Sequence, residues 1–134
     1  MPEKPLILAF DTSAAHCAAA LLSGDQIIAS VQEPMNKGQG ERLLGLCAEV
    51  LTSASVDYSD LTAIAVGIGP GNFTGIRISV SAARGLALGL GIPSIGVSRL
   101  EALAYGNSGT VISCIDARQE KLFIQPFGTS DDPA

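Results

Sequence analysis

The stretch Gly67-Ile68-Gly69-Pro70-Gly71-Asn72-Phe73-Thr74-Gly75-Ile76-Arg77 decides the fold. The aliphatic run Thr62 to Ile68 that leads into it reads as a buried strand. The small, apolar segment that leaves it reads as a helix from about Phe73 to Leu90, stopped by Gly91 with Pro93 beyond. Between them a glycine- and proline-rich corner turns strand into helix and leaves free backbone amides at the helix N-terminus. Such an end can attract an anion, although close packing of the turn is the commoner reason for its glycines. Neither phosphate-binding signature is met. A Walker A loop needs a lysine before Ser or Thr and none stands here, and Gly69 and Gly71 are followed by Gly75, which breaks the GxGxxG spacing.

Working outward, Leu6 to Phe10 reads as a buried strand ended by the turn formers Asp11-Thr12-Ser13. Cys17 to Leu22 is a second strand, Ser23-Gly24-Asp25 a hairpin signal, and Gln26 to Gln32 a third strand. A loop from Pro34 to Gly40 precedes a helix from Glu41 to about Ser53, with Leu43, Leu46, Cys47, Val50 and Ala54 on one face. Ser94 to Val97 is a short strand. The order β-β-β-α-β-α-β predicts one mixed sheet carrying both helices, with the first strand central. Beyond it, Arg99 to Tyr105 reads as a helical turn, and Val111–Asp116 and Leu122–Phe127 as a hairpin across 117–121, before a tail-like end at 128–134. This second strand–turn–strand echoes the first, which suggests a duplicated fold: a first unit over 1–98 and the truncated start of a second over 99–134. A two-stranded hairpin is marginal alone, so it is expected to pack on the first unit or on a continuation.

Of 134 residues, 47% are hydrophobic and 16% charged, the composition of a packed domain. With aromatics at 4% and no Trp, a base-stacking platform is not expected. The net charge of −5 repels phosphate backbones, so the chain is not expected to bind RNA tightly on its own. Cys17, Cys47 and Cys114 are dispersed and His16 is the only histidine, which leaves no zinc-ligand set. Buried, reduced thiols, no bound metal and a cytoplasmic location are the expectations. The first apolar run is too short for a signal peptide and no run is long enough to span a membrane.

Three segments, Asp11-Thr12-Ser13, the glycine-rich stretch and Ile115-Asp116-Ala117-Arg118, together resemble the TsaB family. Its members are relatives of the enzyme TsaD in the actin–Hsp70–sugar kinase superfamily. The pattern GxGPGxFTGxR before a small-residue helix is highly specific to that group, and the resemblance covers essentially the whole chain. Family members are normally longer, with a complete second domain, so the chain is expected to be a truncated form. The resemblance implies a ribonuclease H-like α/β fold and sets Asp11, Thr12 and Ser13 at the phosphate-loop position. In active relatives a carboxylate there helps to hold a metal–nucleotide complex. The TsaD-type metal site needs histidines on the first long helix, and Gln39-Gly40-Glu41-Arg42-Leu43-Leu44 has none; Gln39 stands where TsaB-like sequences commonly carry a histidine. Asp11 therefore reads as a turn-capping residue of a vestigial phosphate loop, with no catalytic residue in the chain. The glycoprotease label once attached to such relatives is unsupported. One histidine supplies no HExxH zinc pair, and His16, read as a solvated turn residue, has no adjacent nucleophile.

The helix from Phe73 to Leu90 points to a partner. Ile76, Val80, Ala83, Leu86, Ala87 and Leu90 form one apolar stripe, the expected core face. The opposite side carries Gly75, Ile78, Ala82, Gly85 and Gly89 rather than polar residues, with Arg77 and Arg84 on one flank. The first helix shows the same trait at Gly45, Ala48 and Thr52. Helical glycine costs about 0.5–1 kcal/mol relative to Ala, which suggests that another backbone approaches closely; coverage by the remainder of a second domain is the alternative. The resemblance implies that these two helices pair with TsaD, and that they also permit a homodimer. The function it implies is a non-catalytic scaffold. TsaD would transfer threonylcarbamoyl to an adenosine of tRNA, TsaC would supply the threonylcarbamoyl-adenylate, and the ATPase TsaE would join the pair. No cofactor is expected on the chain alone, and ATP or ADP only in the assembled complex. The alternative is a nucleotide-dependent ATPase or phosphotransferase using Asp11.

Overall fold

A computed structural model describes residues 4–118 and 120–128, without the side chain of Arg118. The tail at 129–134 and Gln119 of the expected turn lie outside the described residues. Strands β1 (Leu6–Asp11), β2 (His16–Ser23), β3 (Gln26–Pro34), β4 (Ala63–Gly67) and β5 (Ser94–Val97) form one sheet in the order β3-β2-β1-β4-β5. The pairs β1–β2 and β2–β3 are antiparallel, while β1–β4 and β4–β5 are parallel, so β1 is central as expected. Period-two alternation sends Leu8, Phe10, Cys17, Ala19, Leu21, Ile64 and Val66 to one face, where they are buried. Helix α1 (Gln39–Ser53) lays Leu43, Leu46, Cys47, Val50 and Leu51 on that face and α2 (Phe73–Leu90) covers the β4 side of it. The helix α1 starts two residues earlier than the sequence reading, because Gly38 adopts the left-handed conformation at its N-cap (φ 92°).

The rotation of α2 differs from the expected one. Its buried residues are Gly75, Ser79, Ala83 and Ala87, a row at i, i+4, i+8 and i+12, whereas Ile76, Val80, Leu86 and Leu90 are half-buried on its flank. The first turn of α2 is pinned beneath the loop after β1, and everything four residues on then faces the sheet. Gly75 is thereby removed from the outward side assigned to it from sequence. Ile78 and Ala82 are also corrected: both are half-buried against the core, and Ile78 Cδ1 would lie 3.8 Å from a Cβ at Gly40, in the seam with α1. Asn72 caps α2 by accepting from Gly75 N at 2.9 Å, and Gly91 ends it in the left-handed region (φ 68°).

A short helix, α3 (Arg99–Ala104), capped by Ser98, carries the hairpin β6 (Val111–Arg118) and β7 (Lys121–Phe127). Ser113 and Ile115 are buried beneath that hairpin, but Ile112, Leu122 and Ile124 are exposed. Among the described residues no helix is long and apolar enough to cross a membrane. The cysteines divide in a way that the sequence reading did not separate: Cys17 and Cys47 are fully buried and Cys114, on the hairpin, is exposed.

Gly75→Ala is expected to destabilise the fold by about 2–4 kcal/mol, because the new Cβ overlaps the Thr12 carbonyl and the helix cannot retreat without breaking its row of sheet contacts. Urea unfolding measures this, with Gly85→Ala as the opposite control. Burial pushes the Cys47 thiol up to about 12, first by desolvation and then through Cys17. A raised folded pKa means that the stability contribution is complete below the unfolded value of 9.0 and declines as pH rises towards 12. Unfolding free energy should therefore fall across that alkaline range, by up to about 4 kcal/mol from this group, and Cys47→Ala should flatten the slope.

Candidate functional site

Asp11 is the last residue of β1, and its carboxylate closes the turn that follows. Ser13 donates from its backbone N (3.2 Å) to Oδ2 and from its Oγ (2.7 Å) to Oδ1. His16, the first residue of β2, places Nε2 at 2.7 Å from Oδ2, and Gln32 Nε2 stands 3.4 Å from the other ring nitrogen. With its side chain 20% exposed and paired to Asp11, His16 is not the solvated turn residue expected from sequence. The carboxylate lies across Gly67 of β4, where any Cβ would collide with it. That is why this strand ends in glycine.

Thr12 and Ser13 are wholly buried and bind the glycine-rich corner directly. Thr12 Oγ1 donates to the Gly75 carbonyl at 2.5 Å, and Asn72 N donates to the Ser13 carbonyl at 2.7 Å. Side chains at Gly71 and Gly75 would overlap the Ser13 and Thr12 carbonyl oxygens respectively. Arg99 extends the junction, donating its backbone N to the Gly69 carbonyl and its Nη1 to the Pro70 carbonyl, each at 2.9 Å. Two of the three motifs are thus a single packed element. The third, in β6, contributes Ala117 to a cleft of about 850 Å³ that Ser13, Lys37, Gln39, Gly71, Thr74 and Arg99 also line. Asp11 itself faces elsewhere, into a hollow of about 490 Å³ on the alanine-rich side of the sheet beside Ala9, Ala18, Ala20 and Ala65.

This geometry limits the chemistry of the loop. The Ser13 hydroxyl and His16 bind opposite oxygens of one carboxylate, so the imidazole does not contact the hydroxyl that it would have to deprotonate as a general base. No three His, Cys, Asp or Glu side chains among the described residues converge to hold a metal ion. Asp11 behaves as the turn cap read from sequence, with an additional tie to β2.

The outward helical surface is the second candidate site. Gly45, Ala48, Thr52, Gly85 and Gly89 are exposed, and a Cβ at Gly85 or Gly89 would meet nothing within 4 Å. Beside them stands Leu88, 86% exposed, with Leu44 of α1 at 52%. Leu88 is not among the outward residues named from sequence. Phased on the row from Gly75 to Ala87, it falls on the opposite side of the helix.

Asp11→Ala removes all three hydrogen bonds to the carboxylate and is expected to cost about 2 kcal/mol of stability in urea unfolding, with Ser13→Ala costing about half as much. An unchanged midpoint for Asp11→Ala would contradict the capping role.

The sequence and the fold both have relatives. The profile of the family TsaD, described as tRNA N6-adenosine threonylcarbamoyltransferase, matches residues 27–131. The protein of Escherichia coli K12 described as "tRNA threonylcarbamoyladenosine biosynthesis protein TsaB" is 38% identical over 122 residues, covering 87% of this chain and 52% of that protein. Its namesake in Bacillus subtilis 168 is 36% identical over 120 residues, with 87% and 52% covered. The solved structure "YeaZ from Pseudomonas aeruginosa" superposes with a TM-score of 0.82 at 34% identity, covering 95% of this chain and 62% of that one. The chain spans about half the length of the curated relatives that it matches. Its mixed sheet and helices are those of an actin–Hsp70–sugar kinase-like α/β fold. The chain belongs to the TsaD family and groups within it with the TsaB proteins.

Proposed function

We propose that the chain is part of a non-catalytic partner subunit that supports a TsaD-type enzyme in threonylcarbamoyl transfer to an adenosine of tRNA. The observation that carries this reading is the pair of helices α1 and α2, which turn exposed small residues outward where a lone domain has no use for them. Glycines at 85 and 89 cost helix stability and relieve no contact among the described residues. They suit the close approach of another helix, and TsaD is the partner that the family resemblance implies, with TsaE and TsaC acting in the same synthesis. The state of Asp11 favours this reading over an ATPase or phosphotransferase. Its carboxylate is bound by Ser13 and His16 and faces away from the cleft. Any ATP or ADP then belongs to the assembled complex, in the cytoplasm, and tRNA is held by another subunit, in keeping with the net charge of −5. Residues 1–98 make up the first unit and 99–134 begin a second, whose remainder would cover the exposed apolar residues of the hairpin β6–β7.

Gly85→Leu tests the reading. With open space at that position, the isolated chain should fold and gain about 0.5–1 kcal/mol from helix propensity. Association with the TsaD-type protein of the same cell should be lost, because a leucine holds two closely packed helices apart. Undiminished association, measured by titration calorimetry beside thermal unfolding, would refute the interface.

A further inference from the structure

We propose that Arg42 clamps the edge strand β3 to α1 through Glu33, and that acid opens this clamp and frees β3 before the rest of the sheet. Strand β3 is otherwise weakly held. One side of it is the free edge of the sheet, and none of its nine residues is fully buried. Ala29 and Val31 pack against the core only in part. The ladder to β2 is also interrupted, because Leu21 faces Ala29 and Leu22 faces Ile27, which leaves Ile28 without a partner. An edge strand with little burial and an interrupted ladder belongs to the least stable part of a fold.

The clamp has the geometry that makes a partly exposed ion pair count. Arg42 Nε donates to Glu33 Oε1 at 2.8 Å and Nη2 donates to Glu33 Oε2 at 2.9 Å, a two-pronged pairing of planar groups. Nη2 also contacts Glu49 Oε2, further along α1. The guanidinium has room for both because residue 45 is glycine; a Cβ there would come within 3.3 Å of Arg42 Nη1. These charges border a groove of about 240 Å³ between β3 and α1, whose other lining residues, Ser30, Val31, Leu46, Val50 and Ser53, are neutral. From β2, the Cys17 thiol is pushed up, by burial first and then by Glu33, so it stays neutral in acid.

Glu33 is the group that answers to acid. Its hydrogen bond from Arg42 holds the carboxyl below the ordinary 4.5. A depressed folded value means that the contribution is complete above 4.5 and is lost as pH falls through the folded value. Protonation removes the charge and turns one of the two acceptor oxygens into a hydroxyl, so the fork is lost. Glu49 cannot replace it, since it lies on α1 itself. The neutral bonds from Met35 N to the Ala15 carbonyl (3.1 Å) and from Gln39 Nε2 to the Met35 carbonyl (3.2 Å) hold the loop after β3 at either pH. Release is therefore confined to the strand.

Hydrogen exchange of the full chain, read as protection factors at about pH 7 and about pH 3, on either side of the carboxylate range, tests the clamp. In the parent chain the β3 amides should lose about tenfold or more of their protection at the lower pH, while those of β1 and β4 hold. Glu33→Gln should show the acid level of β3 protection already at neutral pH, with no further change on acidification. Arg42→Lys keeps the charge without the fork and should fall between the two. If β3 and β1 lose protection together, or the acid loss in β3 persists in Glu33→Gln, another carboxylate is responsible and the clamp is refuted. Parent-level protection of β3 in Glu33→Gln at neutral pH would refute it equally.

Discussion

The backbone of the loop after β1 lies directly on the first turn of α2, and the remainder of the structure depends on that crossing. Thr12 Oγ1 meets the Gly75 carbonyl, Asn72 N meets the Ser13 carbonyl, and no Cβ fits at either Gly71 or Gly75. Contact between two main chains leaves no side-chain layer to absorb error, so both the height and the rotation of α2 are fixed at its first turn. Ser79, Ala83 and Ala87 then follow Gly75 onto the sheet at helical spacing. Small residues suffice there because the helix is held close. Asp11 completes the junction from the other side, tying its own turn to β2 through His16 while lying across the glycine that ends β4.

Most of the architecture was legible in the sequence because its signals were local. Helix α2 ends where Gly91 adopts a left-handed conformation that Gly reaches without strain, so the stop after Leu90 is legible in the sequence. The strands of the sheet announced themselves as aliphatic runs between turn residues, and β1 took the central place that the element order requires. The rotation of α2 was not legible. Hydrophobic patterning weights large side chains, and here the buried row begins with a glycine and a serine while Ile76 and Val80 lie half-exposed on the flank. That one difference of phase put Gly75 outside.

The candidate site was legible in its parts but not in its contacts. Asp11-Thr12-Ser13 and the glycine-rich corner stood out separately. Their association spans about 60 residues of sequence and runs through main-chain atoms, which leave no residue-type signature beyond the glycines themselves. The tie from His16 to Asp11 was missed for a related reason: five positions apart in sequence, the two sit at the end of β1 and the start of β2, and only the tightness of the turn brings the ring onto the carboxylate.

The same crossing links the two candidate sites. Burying Gly75 at the first turn of an 18-residue helix determines what appears on its far side, and that far side carries Arg77, Gly85, Leu88 and Gly89. Whether the helix buries the row from Gly75 to Ala87 or the stripe from Ile76 to Leu90, Gly85 and Gly89 lie on the far side. As folded, each of the two costs about 0.5–1 kcal/mol relative to alanine and neither touches another element. Gly75 and Gly71 have an intramolecular reason for being glycine, and among the described residues Gly85 and Gly89 have none. The partner surface proposed for α2 would give the second pair its reason, through a backbone approaching beside Leu88.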